Sequence, residues 1–150
     1  MLAFTHLVFA FALANLTGKN QKAAVLFAFL PEIDILVNQI TPFVRNGIFH
    51  SLLLSLVVVF LIQVTFSNTD ITYGAFTGLS SHLLLDLFSF ERIMLLFPLK
   101  EFYSLSLFPS YGLMENLAII SLSFLILLES QNPTVSEPLA HKVYSVLTLE

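Results

Sequence analysis

Residues 47–66 read GIFHSLLLSLVVVFLIQVTF, 20 residues without a single Asp, Glu, Lys or Arg. Wound as an α-helix, such a run is about 30 Å long, which matches the hydrocarbon thickness of a bilayer. By itself it is the securest membrane span in the chain. It sets the expectation for everything on either side of it.

Four further apolar runs flank it, at residues 2–16, 23–37, 71–90 and 113–128. Together they predict an all-α integral membrane bundle of four to five helices, threaded up and down and filling residues 1–128. The first two runs are short for a full crossing, and Pro31, Glu32 and Asp34 interrupt the second. Runs of that length thin the bilayer around them or pack as a partly buried hairpin beside longer helices. The connections suit a bundle. Residues 17–22 form a polar turn with Gly18 as a helix stop, and residues 67–70 form another with Asp70 as the expected N-cap. Residues 39–46, with Pro42, break the path between the second and third helices. Residues 91–112 mix Arg92, Lys100 and Glu101 with Phe97, Phe102, Tyr103 and Phe108, a composition that suits an interfacial segment at headgroup level. From residue 129 to 150 the chain is polar, carries Pro133 and Pro138, and reads as a loosely ordered tail.

Composition points the same way. The 150-residue chain is 57% hydrophobic and only 11% charged, against roughly 25% charged residues in soluble domains. Its mean hydropathy is +0.88. A formal charge of −4 offers no basic patch, so nucleic acid is excluded as an expected partner and the lipid bilayer is the expected one. There is no cysteine, which excludes disulfides, thiolate metal sites and Cys nucleophiles. Ala12-Leu13-Ala14 has the form of a signal-peptide cleavage site, but no Lys or Arg precedes the apolar run and His6 lies inside it. The basic residues divide evenly between the two faces, Arg45, Arg92 and Lys100 against Lys19, Lys22 and Lys142, so charge does not set an orientation.

Ionisable residues inside apolar segments are costly, and their positions carry the functional information. His6 stands near the start of the first helix, Glu32 and Asp34 near the end of the second, and His50 near the start of the third. His82 and Asp86 stand near the end of the fourth. Up-and-down threading brings all of these ends to one membrane face. On the fourth helix, Gly74, Gly78, His82 and Asp86 recur every four residues and drift only about 40° per step around the axis. The glycines let a neighbouring helix approach closely. The His82 and Asp86 side chains then converge from the same broad stripe.

Imidazole and carboxylate are the usual ligands of zinc and also suit iron or manganese. The six candidates exceed what one catalytic ion needs. Either two ions bind, or some residues orient ligands or act as a general base. Plainer readings stand beside this one. His6 alone reads as a packing residue, His82 with Asp86 equally as a hydrogen-bonded tie between helices, and His141 as a solvated tail residue. Asn15-Leu-Thr17 matches a glycosylation sequon.

The pieces Thr5-His6, Leu30-Pro-Glu-Ile-Asp34, Gly47-Ile-Phe-His50-Ser51, Gly78-Leu-Ser-Ser-His82-Leu-Leu-Leu-Asp86 and Leu96-Phe-Pro98 occur in that order over about the first hundred residues. This sequence resembles the YdjM-like family of membrane-bound metal-dependent hydrolases. The resemblance implies His6, Asp34, His50, His82 and Asp86 as metal-site residues. It also suggests Glu115, in Leu113-Met-Glu-Asn116, as a further acid on the same face. The chain departs from the family pattern at Glu32, where Asp is usual, at Arg45 and Asn46, which replace a His-Arg pair, and at Phe49, which replaces Thr.

The expected function is therefore that of a metal-dependent hydrolase in the cell membrane. Metal-activated water would attack a phosphoester, ester or amide, with Glu32 or Glu115 as general base and a lipid-like substrate. Two alternatives remain at this point: an ion or proton pathway, and a structural membrane subunit tied by its polar residues.

Overall fold

A computed structural model describes residues 2–34, 37, 47–109 and 111–131. Arg45, Asn46, the Pro42 break, His141 and the tail beyond residue 131 lie outside the described residues. Among the described residues, five α-helices carry the fold: α1 (Ala3–Leu16), α2 (Gln21–Phe29), α3 (Leu52–Phe66), α4 (Thr69–Phe88) and α5 (Leu113–Ser130). A single 3-10 turn at Leu30–Glu32 follows α2, and another at Ile48–His50 precedes α3. Two isolated bridges are the only β pairing among the described residues.

Local chemistry explains the helix ends. Gly18 takes a left-handed φ of +64°, and the amides of Gly18 and Lys19 turn back to the carbonyls of Asn15 and Ala14. Asn20 caps α2 by accepting from the Ala23 amide. Between α3 and α4 the N-cap is Asn68, which accepts from the amides of Asp70 and Ile71. Asp70, expected as the cap, instead occupies the first turn of α4.

The third apolar run departs from expectation. Its helix covers only the 15 residues Leu52–Phe66, because the front of the run is spent on the 3-10 turn and on Ser51. That residue is extended (φ −108°, ψ 145°) and accepts the Leu54 amide as N-cap. A helix that short is about 22 Å long and falls short of the hydrocarbon thickness. Among the described residues, the helix long and apolar enough to cross a membrane is α5, with 18 residues. α4 has the length, at 20 residues, but its Thr, Ser, His and Asp side chains make it less apolar.

α2 and α4 share the most extensive contact, α1 lies against α2, α4 and α5, and α3 lies against α4. The α2–α4 seam is built on small residues. A Cβ on Gly78 would stand 2.1 Å from the Ala24 carbonyl oxygen, and one on Gly74 would stand 2.5 Å from that of Asn20. The backbones therefore touch directly, as the glycine spacing predicts. Burial is inverted relative to a water-soluble domain. Ala24, Ala28 and Ala75 are fully enclosed, together with Thr5, His6, Asp34, His82, Asp86, Asn116 and Ser123. Large apolar side chains such as Phe60 (65% exposed) and Met114 (75%) point outward.

After α4 the chain runs back on itself. Ser89 bridges to Phe108 and Ile93 to Tyr103. This segment closes the C-terminal end of α4, where four carbonyls lack intrahelical partners. Ser89 donates to the carbonyls of Leu85 and Asp86, Leu105 to that of Leu87, and Leu107 to that of Phe88. The same segment reaches α3, because the Leu95 carbonyl accepts the Leu52 amide at 2.9 Å. Its own large side chains, among them Phe90, Leu99, Phe102 and Leu107, are exposed.

Candidate metal centre

Each element delivers one piece of the cluster from its end. α1 contributes His6 from its first turns, the turn after α2 contributes Glu32 and then Asp34, the turn before α3 contributes His50, and the last turns of α4 contribute His82 and Asp86. His6, Asp34, His50, His82 and Asp86 are all buried and Glu32 is half-buried.

His82 is oriented by the seam. Its Nδ1 lies 2.7 Å from the backbone carbonyl oxygen of Ala28. A carbonyl can only accept, so the proton sits on Nδ1, and in the neutral ring Nε2 carries a lone pair. The contact exists because Gly78, one turn earlier, lets the α2 backbone come within reach. Ala28 is also among the last carbonyls of α2, where Pro31 supplies no N–H.

His50 is arranged in the same sense. Its Nδ1 stands 3.0 Å from Asp34 Oδ2, so the carboxylate favours a proton on that nitrogen and leaves Nε2 to face inward. Aspartate behind imidazole is a common way to orient a metal-binding histidine.

Three atoms then converge. Asp86 Oδ2 is 3.1 Å from His82 Nε2 and 3.3 Å from His50 Nε2, and the two nitrogens are 3.3 Å apart. Ligands of a tetrahedral zinc at about 2.0–2.1 Å stand about 3.3 Å from one another, so this triangle has the size of one tetrahedral face. Electron pairs so arranged repel unless a cation, proton or metal ion, lies among them.

The second oxygen of Asp86 faces another histidine, with Oδ1 3.2 Å from His6 Nε2. The His6 ring stacks on that of His82 at 3.9 Å between centroids. His6, Glu32 and His82 each bring a ligand atom within 4.8 Å of the others, as do His50, His82 and Asp86. Asp86 thus meets all three histidines, and buried His6 Nδ1 has no hydrogen-bond partner among the described residues.

Glu115 is not brought into either group. Its carboxylate folds over the start of its own helix and fills the space a Cβ on Gly112 would need. The neighbouring residue turns inward instead. Buried Asn116 accepts from the Thr5 hydroxyl at 2.7 Å and donates to the Gly112 carbonyl, fastening α5 to the turn that carries His6. Neither Asn116 nor the Ala28 carbonyl was among the sequence candidates. A lone Asn beside an acid gave a weak signal for the first, and a backbone carbonyl gives none.

These features define a class, a helical protein with a buried His-carboxylate cluster at one end and an apolar exterior. The chain belongs to the family described as YdjM inner membrane protein, whose family model matches residues 1–149. Membrane association follows from that membership. No curated protein and no solved structure matches the chain.

Proposed function

We propose that the chain is a multi-pass membrane protein and a metal-dependent hydrolase, with the ion held by His50, His82 and Asp86. The observation that carries this reading is the triangle of Asp86 Oδ2 and two Nε2 atoms, with sides of 3.1 to 3.3 Å. Zinc is the ion that best suits two imidazoles and a carboxylate, with manganese or iron as further candidates. When bound, it supplies a Lewis acid and a water molecule acidified to near neutrality.

The remaining residues have roles of their own. Asp34 and the Ala28 carbonyl hold the two imidazoles with their Nε2 atoms inward. Glu32, half-buried and within reach of His6 and His82, is the general base that takes the proton of the attacking water. Glu115, folded against Gly112, is a poorer candidate for that role. The seam of bare backbone keeps water from the back of the site. The cluster lies at the helix ends, so the scissile phosphoester, ester or amide would belong to a lipid-like molecule lying near headgroup level.

Elemental analysis of the detergent-purified protein tests the reading. Stoichiometric metal that is lost on His82→Ala supports it. Absence of metal, with thermal melts indifferent to chelator and lowered by a His50/His82 double substitution, would establish a purely structural tie between helices.

A further inference from the structure

The apolar crevice between α3 and α4 begins beside the metal cluster. Leu52, Ser55, Leu56 and Val59 form one wall, Leu79, Leu83 and Leu87 the other, and the crevice, open along one side, holds about 200 Å³. On α4 the residues facing α3 directly follow the metal-site residues, Leu83 after His82 and Leu87 after Asp86. On α3 the wall starts at Leu52, two residues after His50. The crevice and the cluster thus share an end.

From that shared end the crevice runs away along both helices. Leu52 to Val59 spans about 10 Å and Phe76 to Leu87 about 16 Å at the rise of an α-helix. The hydrocarbon of a bilayer is about 30 Å thick, so the crevice is about one leaflet deep. Its lining is almost wholly apolar, and the hydroxyl of Ser55 is turned back onto the Ser51 carbonyl. Over the shared end passes the segment after α4, tied down where the Leu95 carbonyl accepts the Leu52 amide. A second apolar hollow shares Leu52, Leu56 and Leu95 and continues beneath Phe97 and Pro98.

We propose that this crevice binds one acyl chain of a bilayer lipid, drawn from the leaflet on the cluster side. Seated there, the chain leaves its ester or phosphate at the level of His50 and Asp86. The inference rests on the hydrolase reading only for what happens to the headgroup, because holding the chain requires no metal. It narrows the substrate to a molecule with a long acyl chain.

The test uses the full chain in nanodiscs of phosphatidylethanolamine and phosphatidylglycerol, doped with phosphatidylglycerol carrying a diazirine in mid-chain. After irradiation, peptides are mapped by mass spectrometry. Labelling of the crevice helices, at residues 52–59 and 76–87, is expected to exceed that of Phe60 and Phe124 several-fold, although those two are the more exposed. Leu56→Trp and Val59→Trp fill the crevice from positions that are not enclosed. They should abolish the excess while leaving metal content unchanged.

Label spread evenly over all outward apolar residues overturns the proposal. So does a crosslinked dimer joined through the crevice, which would make a second copy of the chain its occupant. Labelled crevice peptides in a protein that binds no metal would sink the hydrolase reading and leave the acyl-chain site standing.

Discussion

His82 reaches the backbone carbonyl of Ala28 across 2.7 Å because Gly78, one turn before it, has no side chain to hold α2 away. The ring's orientation, and with it the lone pair aimed at Asp86 and His50, is set by two backbones in contact. Gly78→Ala would drive a methyl group to 2.1 Å from the Ala24 oxygen. We expect a loss of about 1–3 kcal/mol, the usual range for overpacking, together with weaker metal binding. Gly18→Ala is the control. Its φ of +64° is strained for alanine but nothing lies within 4 Å, so it should cost about 1–2 kcal/mol and leave metal affinity alone. Thermal melts with chelator-competition titrations separate the two.

Asp34 stands behind His50, whereas Asp86 contacts three imidazoles. Asp34→Asn should therefore weaken metal binding by about 10–100-fold without abolishing it. Asp86→Asn should reduce bound metal to background in the same titration. Equal effects from the two substitutions would show that both aspartates act as direct ligands.

Asn116 and Glu115 are adjacent in sequence and opposite in situation. Asn116→Ala removes the partner of the buried Thr5 hydroxyl, and should cost about 1–3 kcal/mol while loosening the turn that carries His6. Glu115→Gln should leave both stability and hydrolysis of any substrate found near wild type. A large rate loss from Glu115→Gln with unchanged metal content would move the general base from Glu32 to Glu115.

Ser51 caps α3 and follows His50 directly. Ser51→Ala should lower stability by about 1 kcal/mol, and Ser51→Gly by only a few tenths. Melts of the two variants in one detergent check the ordering.

The helical class and the cluster were legible because both follow from pattern. Runs of apolar residues, turns marked by Gly18 and Asn68, and six ionisable residues near helix ends determine which ends meet once the chain alternates direction. The recurrence of Gly74 and Gly78 implied a close approach by a neighbouring helix, and that neighbour is α2. What escaped depended on backbone detail. Residues 47–66 read as one continuous span because hydropathy does not register the extended Ser51 that starts the helix late. Asp70 and Asn68 are both able caps, and only the turn geometry chooses between them. Glu115 was singled out through the family resemblance and its neighbour Asn116 was not, yet the carboxylate folds over its own helix start while the amide is buried.

The inverted burial leaves the cluster insulated from the rest of the surface. Alanine and glycine backbones fix its spacing, while the leucines and phenylalanines outside touch mainly their surroundings. An engineer could therefore exchange many of the outer side chains for other apolar ones, the α3–α4 crevice excepted. The position of the His82 imidazole, fixed by the Ala28 carbonyl across the α2–α4 seam, would be inherited unchanged.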